Sequence, residues 1–343
     1  MDNKVLRCGL IGCGKIARIH TPNILATPEV QIVATCCIVE AASKDYAAKF
    51  GAEYHTTDVD RVLKDPEIDA VIICTRQDSH LRLAIEAASA GKHIFIEKPL
   101  TDTIEEGKRL QEAIHKSGVK LMSGWWFKYS PITKRLREVI PHPYYSTFMC
   151  RLPWTEQYIV DDEKGPLLYW GLLGTAGYNL HWLWHVMRSQ PTEVYAMGYG
   201  GKATNTSSIL IRFENGSFGN SVFTDMGLGG INPTKWYVEV QGGPKSAAIH
   251  GFTKLAFEGT TEPGIPENRY HDGFDKHWKL LADMCLNGKA STMDAWEASI
   301  PTIFTEKALE SMRTGKSVAV DFRKEMWLPN GKLPESVAKY GDV

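Results

Sequence analysis

Residues 9–20 read GLIGCGKIARIH, and this stretch decides the fold. Gly12, Gly14 and Ala17 follow the spacing Gly-x-Gly-x-x-Ala between an apolar run and a helical pattern. The first glycine of such a turn permits a tight bend, the second lets the backbone approach a pyrophosphate, and the small third residue lets the helix pack against the strand. The free N–H groups of the helix N-terminus would then face the phosphates. The predicted phosphate contacts are Gly12, Gly14, Lys15 and Ile16.

Apolar runs of strand length alternate with helical stretches through the first 125 residues. Near-continuous Val, Ile and Leu runs are typical of strands buried on both faces of a parallel sheet. Their alternation with helices predicts a doubly wound α/β sheet. Asp78 is a capping candidate for one helix, and Thr103 with Glu106 has capping-box spacing at the next. The predicted strands are 5–12, 30–36, 69–75, 93–98 and 119–124.

The rhythm changes after residue 124, where several strand candidates alternate polar and apolar residues. Such alternation is typical of an antiparallel sheet with one exposed face. The segment FENGS at 213–217 carries the Asn-Gly signal of a tight hairpin. We therefore predict a Rossmann domain over residues 1–123 and an α+β domain over 124–343, which carries an open-faced, largely antiparallel sheet.

The composition is that of an ordinary globular protein of 343 residues, 43% hydrophobic and 23% charged. A net charge of −1 without a clustered basic excess argues against a nucleic-acid partner. No apolar run approaches the about 20 residues that a membrane span needs. The seven cysteines are scattered and lack zinc-site spacing, which predicts reduced thiols, a cytoplasmic protein and no metal site.

The end of the second predicted strand leaves the choice of dinucleotide open. An acidic residue about 20 positions after the glycine-rich turn would bind the ribose hydroxyls. Cys36 to Val39 cannot do so, and Glu40 lies slightly late. No cation stands there for a 2′-phosphate, so NAD is favoured over NADP, and Cys37 is the candidate cofactor contact at this strand end.

Four segments together resemble the glucose-fructose oxidoreductase / inositol dehydrogenase (Gfo/Idh/MocA) family: GCGKIA, CTRQDSH, AGKHIFIEKPL and GWWFKYSP. Their order and spacing fit over nearly the whole chain. The resemblance implies a Rossmann domain followed by an open-faced sheet that carries the substrate pocket and often the oligomer contacts. It also implies NAD(P)-dependent hydride transfer at a carbon of a sugar, sugar derivative or cyclitol. We accordingly expect a small-molecule substrate and a homo-oligomer formed through the C-terminal sheet.

The family lysine maps onto Lys98, in the segment GKHIFIEKPLTDT at residues 91–103. The resemblance implies that this lysine holds the substrate hydroxyl and the nicotinamide ribose. Physical reasoning agrees, because ligands of doubly wound sheets bind beyond the carboxyl ends of the strands. An ammonium there can neutralise a developing alkoxide. We expect Glu97 to orient Lys98 and, with Thr75 and His80, to lie on the cofactor side.

The substrate half departs from the family pattern. Many members carry an Asp and a His four residues apart on one helix, and the His acts as acid/base. Aligned on Gly177, this chain has Thr175 and Asn179 at those positions; a shift of two residues brings in His181 instead. Either Lys98 with His181 handles the proton, or Lys98 acts with only polar help from Asn179 and Thr175.

Tryptophan is concentrated between residues 125 and 184, near the predicted pocket. Flat apolar rings suit the C–H faces of a sugar, although buried tryptophans are commonly part of a core. The resemblance and this clustering suggest further substrate contacts: Lys128, Trp154 and Tyr178. The leading prediction is an NAD(P)-dependent sugar or polyol dehydrogenase. The alternatives are redox-assisted glycoside elimination with recycled NAD, and a non-catalytic sugar or cofactor sensor.

Overall fold

The computed structural model describes residues 4–125, 127–151, 172–200, 205–224, 236–264 and 275–342. The chain forms two compact units. The first contains residues 1–126, 271–299 and 326–343, and the second contains residues 127–270 and 300–325. Segments from the last fifth of the chain therefore cluster with the N-terminal sheet, where chain order alone would assign them to the second half.

The first unit is built on a six-stranded, all-parallel sheet in the order β3-β2-β1-β4-β5-β6, counted over the described residues. Its central strands are apolar and buried, as near-continuous Val, Ile and Leu runs predict. The strands are β1 (Leu6–Ile11), β2 (Val30–Cys36), β3 (Tyr54–Thr56), β4 (Ala70–Ile73), β5 (His93–Ile96) and β6 (Leu121–Ser123). This order confirms the predicted doubly wound fold, to which the structure adds the short β3.

Helices connect these strands, and two of their starts test the capping predictions. Thr103 and Glu106 form the predicted capping box, with each side chain accepting from the other residue's backbone N–H. The Asp78 prediction is wrong, because Asp78 lies inside a 3-10 turn and Ser79 is the N-cap residue. The helices are α1 (Lys15–Leu25), α2 (Glu40–Phe50), α3 (Val59–Leu63), α4 (His80–Ser89) and α5 (Ile104–Ser117).

The second unit contains a nine-stranded mixed sheet in the order β14-β13-β12-β11-β7-β10-β9-β8-β15, counted over the described residues. Only the pair β7–β10 is parallel among these strands. The predicted largely antiparallel sheet is thus confirmed. Its strands are β7 (Tyr145–Arg151), β8 (Pro191–Gly200), β9 (Asn205–Phe213), β10 (Phe218–Thr224), β11 (Trp236–Gly242), β12 (Lys245–His250), β13 (Lys254–Phe257), β14 (Thr260–Pro263) and β15 (Val318–Ala319).

Helices cover one face of this sheet, and the other face carries exposed apolar side chains. Val194, Ile209 and Ile211 point to the covered face and are buried. Tyr195, Met197 and Tyr199 alternate with that set and are exposed. The predicted hairpin is present, since Gly216 adopts φ +83° in the turn between β9 and β10. The helices of this unit are α6 (Pro131–Val139), α7 (Gly177–Met187), α9 (Ile300–Thr314) and α10 (Phe322–Glu325).

Two more helices belong to the first unit: α8 (Asp275–Leu286) and α11 (Glu335–Ala338). Within the described ranges, every helix is too short or too polar to traverse a lipid bilayer.

Candidate functional site

The glycine-rich turn follows β1 and lies against the end of β4. Gly12 has φ +95°, and a Cβ atom at this position would lie 2.7 Å from the carbonyl carbon and oxygen of Cys74. Both facts require glycine here, because other L-residues rarely adopt this conformation and the space is filled by backbone. The turn is also tied to β2, since Gly12 N donates to Cys36 O at 2.8 Å.

Gly14 has different surroundings, which suit a dinucleotide. It is the N-cap residue of α1, and a Cβ atom built on it would meet nothing within 4 Å. Among the described residues, no side-chain hydrogen bond caps the N-terminus of α1. An uncapped helix N-terminus next to a bare backbone is the arrangement that accepts a pyrophosphate. Lys15 and Ile16 are the first two helical residues, as predicted phosphate contacts should be.

Thiols and apolar side chains lie at the end of β2. Burial raises the pKa of Cys13 to about 12 and that of Cys36 to about 11, so both thiols stay protonated at neutral pH. Cys37 is half-buried, and its N–H donates to Thr56 O at 3.2 Å. Ile38 is 95% exposed, and the exposed Glu40 is the first residue of α2. This strand end therefore presents apolar surface and one acidic residue.

The turn after β4 contains Thr75 and leads to His80. Thr75 is half-buried, and its Oγ1 accepts from Ser79 Oγ at 2.7 Å. His80 is fully buried; its Nδ1 lies 2.7 Å from Pro99 O and its Nε2 lies 3.3 Å from Thr75 O. Burial lowers the pKa of His80 although both carbonyl contacts raise it, so the ring is neutral at pH 7. The neutral ring donates through one nitrogen, and the shorter contact assigns that role to Nδ1.

Lys98 follows β5 immediately beyond Glu97. The strands β1, β4 and β5 are neighbours, so the glycine-rich turn, Thr75 and Lys98 follow three adjacent strand ends. Lys98 is half-buried, whereas Glu97 and Pro99 on either side of it are buried. A cationic side chain thus emerges between two anchored residues at the edge of the sheet where ligands of doubly wound folds bind.

Glu97 is held by a histidine that the sequence reasoning missed. Its Oε1 accepts from His20 Nε2 at 2.7 Å, and its Oε2 accepts from the Lys98 N–H at 3.1 Å. His20 lies in α1, only six residues after Gly14, and is fully buried. The signal in the sequence was a histidine on the buried face of the first helix, but nothing in its spacing pointed to Glu97.

Residues distant in sequence surround the carboxylate of Glu97. A Cβ atom on Gly124 would lie 2.6 Å from Glu97 Oε1, so glycine at this position leaves room for the carboxylate. The His20 ring makes edge contacts with Phe95 at 5.5 Å and with Trp278 at 5.1 Å between ring centroids. Trp278 belongs to α8, which explains why a helix from late in the chain clusters with the first unit.

A second hydrogen bond connects the loops after β4 and β5. Gln77 Nε2 donates to Asp102 Oδ1 at 2.7 Å. Burial and the neighbouring Glu106 carboxylate raise the pKa of Asp102, and the Gln77 contact opposes this. Together with the contact between His80 and Pro99, this bond joins the segment after Thr75 to the segment after Lys98.

In the second unit, Asn179 faces the sheet. It is fully buried, and its Nδ2 lies 3.4 Å from both Phe148 O of β7 and Val222 O of β10. These contacts fasten α7 to the sheet. A π-helical turn at Leu172–Ala176 precedes α7, and such turns are frequent at functional sites.

His181 and His185 lie one turn apart on α7, with parallel rings whose centroids are 6.3 Å apart. Both are buried, and His185 Nε2 accepts from Arg137 Nη1 at 2.9 Å. That contact gives His185 a structural partner. His181 lies beside Trp184, with 5.6 Å between the ring centroids. The described residues contain no group of three or more acidic, Cys or His side chains placed to hold a metal ion.

The structure describes some of the remaining residues that were predicted to contact the substrate. Lys128 is 8% exposed, with Nζ 5.3 Å from the Tyr129 ring centroid, and the half-buried Tyr178 lies 4.8 Å from Phe127 between ring centroids. Trp154 and the side chain of Thr175 lie outside the described residues. Trp125, Trp182 and Trp184 are fully buried, as core residues are.

The relatives that this chain resembles include oxidoreductases. An uncharacterised oxidoreductase of Bacillus subtilis, YrbE, is 28% identical over 289 residues, which cover 80% of this chain and 83% of the relative. The myo-inositol 2-dehydrogenase of Thermotoga maritima is 28% identical over 229 residues, which cover 62% of this chain and 67% of that enzyme.

Solved structures share the fold. An oxidoreductase from Agrobacterium radiobacter, in complex with NAD+, L-tartaric acid and magnesium, superposes with a TM-score of 0.82 at 18% identity and covers 92% of this chain and 98% of its own. Residues 6–125 match the model of the Gfo/Idh/MocA oxidoreductase family with an NAD-binding Rossmann fold, which confirms the resemblance seen in the sequence. Residues 6–125 are thus similar to that family, and they form an NAD-binding Rossmann domain.

Proposed function

We propose that this protein is an NAD-dependent dehydrogenase that oxidises a secondary alcohol of a cyclitol, sugar or sugar derivative. The main support for the proposal is the position of Lys98. This half-buried lysine follows β5, at the same edge of the sheet as the glycine-rich turn that follows β1. Alcohol oxidation requires a hydride acceptor and a group that handles the hydroxyl proton. The ends of β1 and β5, on either side of β4, would bring the cofactor and Lys98 to the same edge of the sheet.

The proposed chemistry divides between cofactor and lysine. NAD, when bound, accepts the hydride from the alcohol carbon. Lys98 donates a hydrogen bond to the substrate oxygen and stabilises the negative charge that develops when the hydroxyl proton leaves. Its neutral amine can also accept that proton, whereas the ammonium form stabilises charge without accepting it. Thr75 and Cys37 are proposed cofactor contacts at the neighbouring strand ends.

The substrate class rests on the similarity to a myo-inositol 2-dehydrogenase over about two thirds of that enzyme. The preference for NAD over NADP rests on the end of β2, where Glu40 opens α2 and would repel a 2′-phosphate. We assign cofactor binding to residues 1–123 and substrate recognition to residues 124–343. In the second half we propose His181 as the partner of Lys98 in handling the hydroxyl proton, with Asn179, Thr175, Tyr178, Lys128 and Trp154 as proposed contacts.

Formation of NADH from NAD and a panel of myo-inositol, scyllo-inositol, glucose and their acidic derivatives tests this function. Lys98→Met preserves much of the side-chain length but removes the amine. It should lower kcat by about 10²- to 10⁴-fold, which is the factor that general acid–base catalysis usually contributes to the rate. Lys116→Met, which removes an exposed lysine from α5, is the matched control and should retain full activity.

Other outcomes separate the rivals. Undiminished oxidation by Lys98→Met would refute the proposed role of the lysine. Cleavage of a glycoside without accumulation of NADH would support redox-assisted elimination instead. Saturable binding of NAD and an inositol with no turnover of any panel compound would support a sensor.

We further propose that the protein assembles with copies of itself through the open face of the second sheet. The exposed fractions of Met197 and Tyr199 are 65% and 72%, and both lie on β8 with Tyr195. Leu210 on β9 pairs with Tyr195 and continues the apolar surface to the next strand. Exposed apolar side chains clustered on one face of a sheet are typical of an association surface.

A further inference from the structure

Lys98 lies between two residues that each contact a buried histidine, Glu97 through its side chain and Pro99 through its main chain. One histidine comes from α1 and the other from α4, and both are at most 1% exposed. His20 contacts Glu97, the residue before Lys98, and His80 contacts Pro99, the residue after it. Neither contact involves the Lys98 side chain.

On the N-terminal side the connection runs from His20 through Glu97 to the Lys98 amide. Glu97 Oε1 lies 2.7 Å from His20 Nε2, and we assign Nε2 as the donor of this hydrogen bond. The second carboxylate oxygen accepts the Lys98 N–H at 3.1 Å. One rigid carboxylate thereby links the helix that begins at the glycine-rich turn to the backbone of Lys98.

On the C-terminal side the connection runs from His80 to the carbonyl of Pro99. His80 Nδ1 donates to Pro99 O across 2.7 Å, whereas Nε2 faces Thr75 O at 3.3 Å. The same ring therefore touches the loop after β4 and the loop after β5. His80 thus ties Lys98 to the segment that carries Thr75.

We propose that His20 and His80 are positioning residues that clamp the main chain on both sides of Lys98 and so aim its amine at the reacting hydroxyl. This proposal rests on the proposed role of Lys98 in alcohol oxidation. Displacement of a catalytic group by about 1 Å can lower the rate by about a hundredfold. Backbone fixation matters here because the lysine side chain is long and flexible, so that its reach is set by where its Cα atom is held.

The two histidines contact their partners through different ring nitrogens. Substitutions can therefore distinguish a role in hydrogen bonding from a role in packing alone. A glutamine amide nitrogen lies near the position of histidine Nε2, and an asparagine amide nitrogen lies near that of Nδ1. His20→Gln and His80→Asn therefore keep the required donor, while His20→Asn and His80→Gln displace it. His20→Phe retains a ring for Phe95 and Trp278 but has no donor.

Two readouts apply to each variant. The first is the ¹³Cε resonance of Lys98 in lysine-labelled protein with and without NAD, assigned by its loss in Lys98→Arg. The second is kcat and KM for the panel compound that the wild type oxidises. We expect His20→Asn, His20→Phe and His80→Gln to move the resonance and to lower kcat by about tenfold or more, with KM for NAD within about threefold. His20→Gln and His80→Asn should resemble the wild type in both readouts, as should His115→Phe, an exposed control on α5.

The outcomes distinguish this clamp from the proposed function. A Lys98 resonance that follows the donor pattern, in a protein that oxidises no panel compound, would support the clamp and refute the dehydrogenase. A wild type that oxidises an inositol, with kcat and resonance unchanged in the folded donor-displaced variants, would refute the clamp alone. If His20→Phe does not fold, the comparison between His20→Gln and His20→Asn decides; equal behaviour of these two refutes the clamp.

Discussion

Gly12 and Gly14 are two residues apart, yet they are glycines for different reasons. At Gly12 the backbone has φ +95° and the space for a side chain is filled by the Cys74 carbonyl group. At Gly14 the space is open, and φ is −94°, which other residues adopt readily. The first glycine is therefore required by the fold itself, and the second is required by what approaches the turn.

Alanine at these two positions should separate stability from cofactor binding. Gly12→Ala should lower the free energy of unfolding by about 2 kcal/mol or more, since it combines an unfavourable φ with a steric clash. Gly14→Ala should change the free energy of unfolding by less than about 1 kcal/mol and weaken NAD binding about tenfold or more. Urea unfolding and calorimetric titration with NAD measure both. Wild-type affinity for NAD in Gly14→Ala would contradict this reading of the turn.

The sequence revealed Lys98 but not the residues that hold it. Lys98 follows an apolar strand and carries a charge, so it is visible as an anomaly in the pattern. His20 occupies a buried position of an amphipathic helix, where a histidine gives no sign of which strand end it will meet. Its partner Glu97 is 77 residues away in the chain. Pairings of this kind depend on how the helix packs on the sheet, which spacing alone does not encode.

Among the elements, helix starts were predictable where both capping partners are local. Thr103 and Glu106 satisfy one another within a single turn, so their spacing was sufficient. The prediction that Asp78 caps a helix failed because residues Gln77–Ser79 form a 3-10 turn and the helix begins only at His80. That delay places His80 at the first helical position, where its ring reaches Pro99. The capping pattern around Asp78 does not include this 3-10 turn, and so it placed the helix start too early.

The strand β5 begins with a histidine that should make stability depend on pH. His93 Nδ1 accepts the Lys120 N–H at 3.0 Å, a contact that requires this nitrogen to be unprotonated. Burial lowers the pKa of His93. As the pH falls through about 6.5, the unfolded chain takes up this proton before the folded state does, so the free energy of unfolding falls.

The midpoint of urea unfolding should therefore be lower at about pH 5.5 than at about pH 7.5. In His93→Asn the amide oxygen can still accept the Lys120 N–H but does not titrate, so the difference between the two pH values should shrink. A residual difference is expected from His80, whose pKa is also lowered by burial. An equal pH difference in the wild type and His93→Asn would contradict the assignment to His93.

At the scale of the whole molecule, the fold class followed directly from sequence periodicity. Continuous apolar runs became the parallel sheet, and alternating runs became the open-faced sheet, because each pattern records whether one or both faces of a strand are buried. The assignment of α8 to the first unit did not follow. Trp278 of that helix packs against His20 and Phe95. A single tryptophan in a helical pattern does not indicate which residues it will contact.

The open face of the second sheet makes a prediction about assembly. The double variant Met197→Asp, Tyr199→Asp should have the mass of one chain by light scattering, because charges on this face oppose its burial against a second copy. The wild type should have a larger mass, as should Leu25→Asp, a control with an exposed apolar residue at the end of α1. A wild type with the mass of one chain, or an unchanged mass in the double variant, would contradict assembly through this face.

The most direct test of NAD-dependent alcohol oxidation by this protein follows the hydride itself. Wild-type protein is incubated with NAD and with myo-inositol that carries deuterium on every carbon, and with scyllo-inositol and glucose labelled in the same way; the NADH is then analysed by mass spectrometry. We predict that NADH produced from at least one of these compounds carries deuterium from the oxidised carbon, and that Lys98→Met forms far less of it. NADH that contains only solvent hydrogen, or no NADH from any of the three, would contradict it.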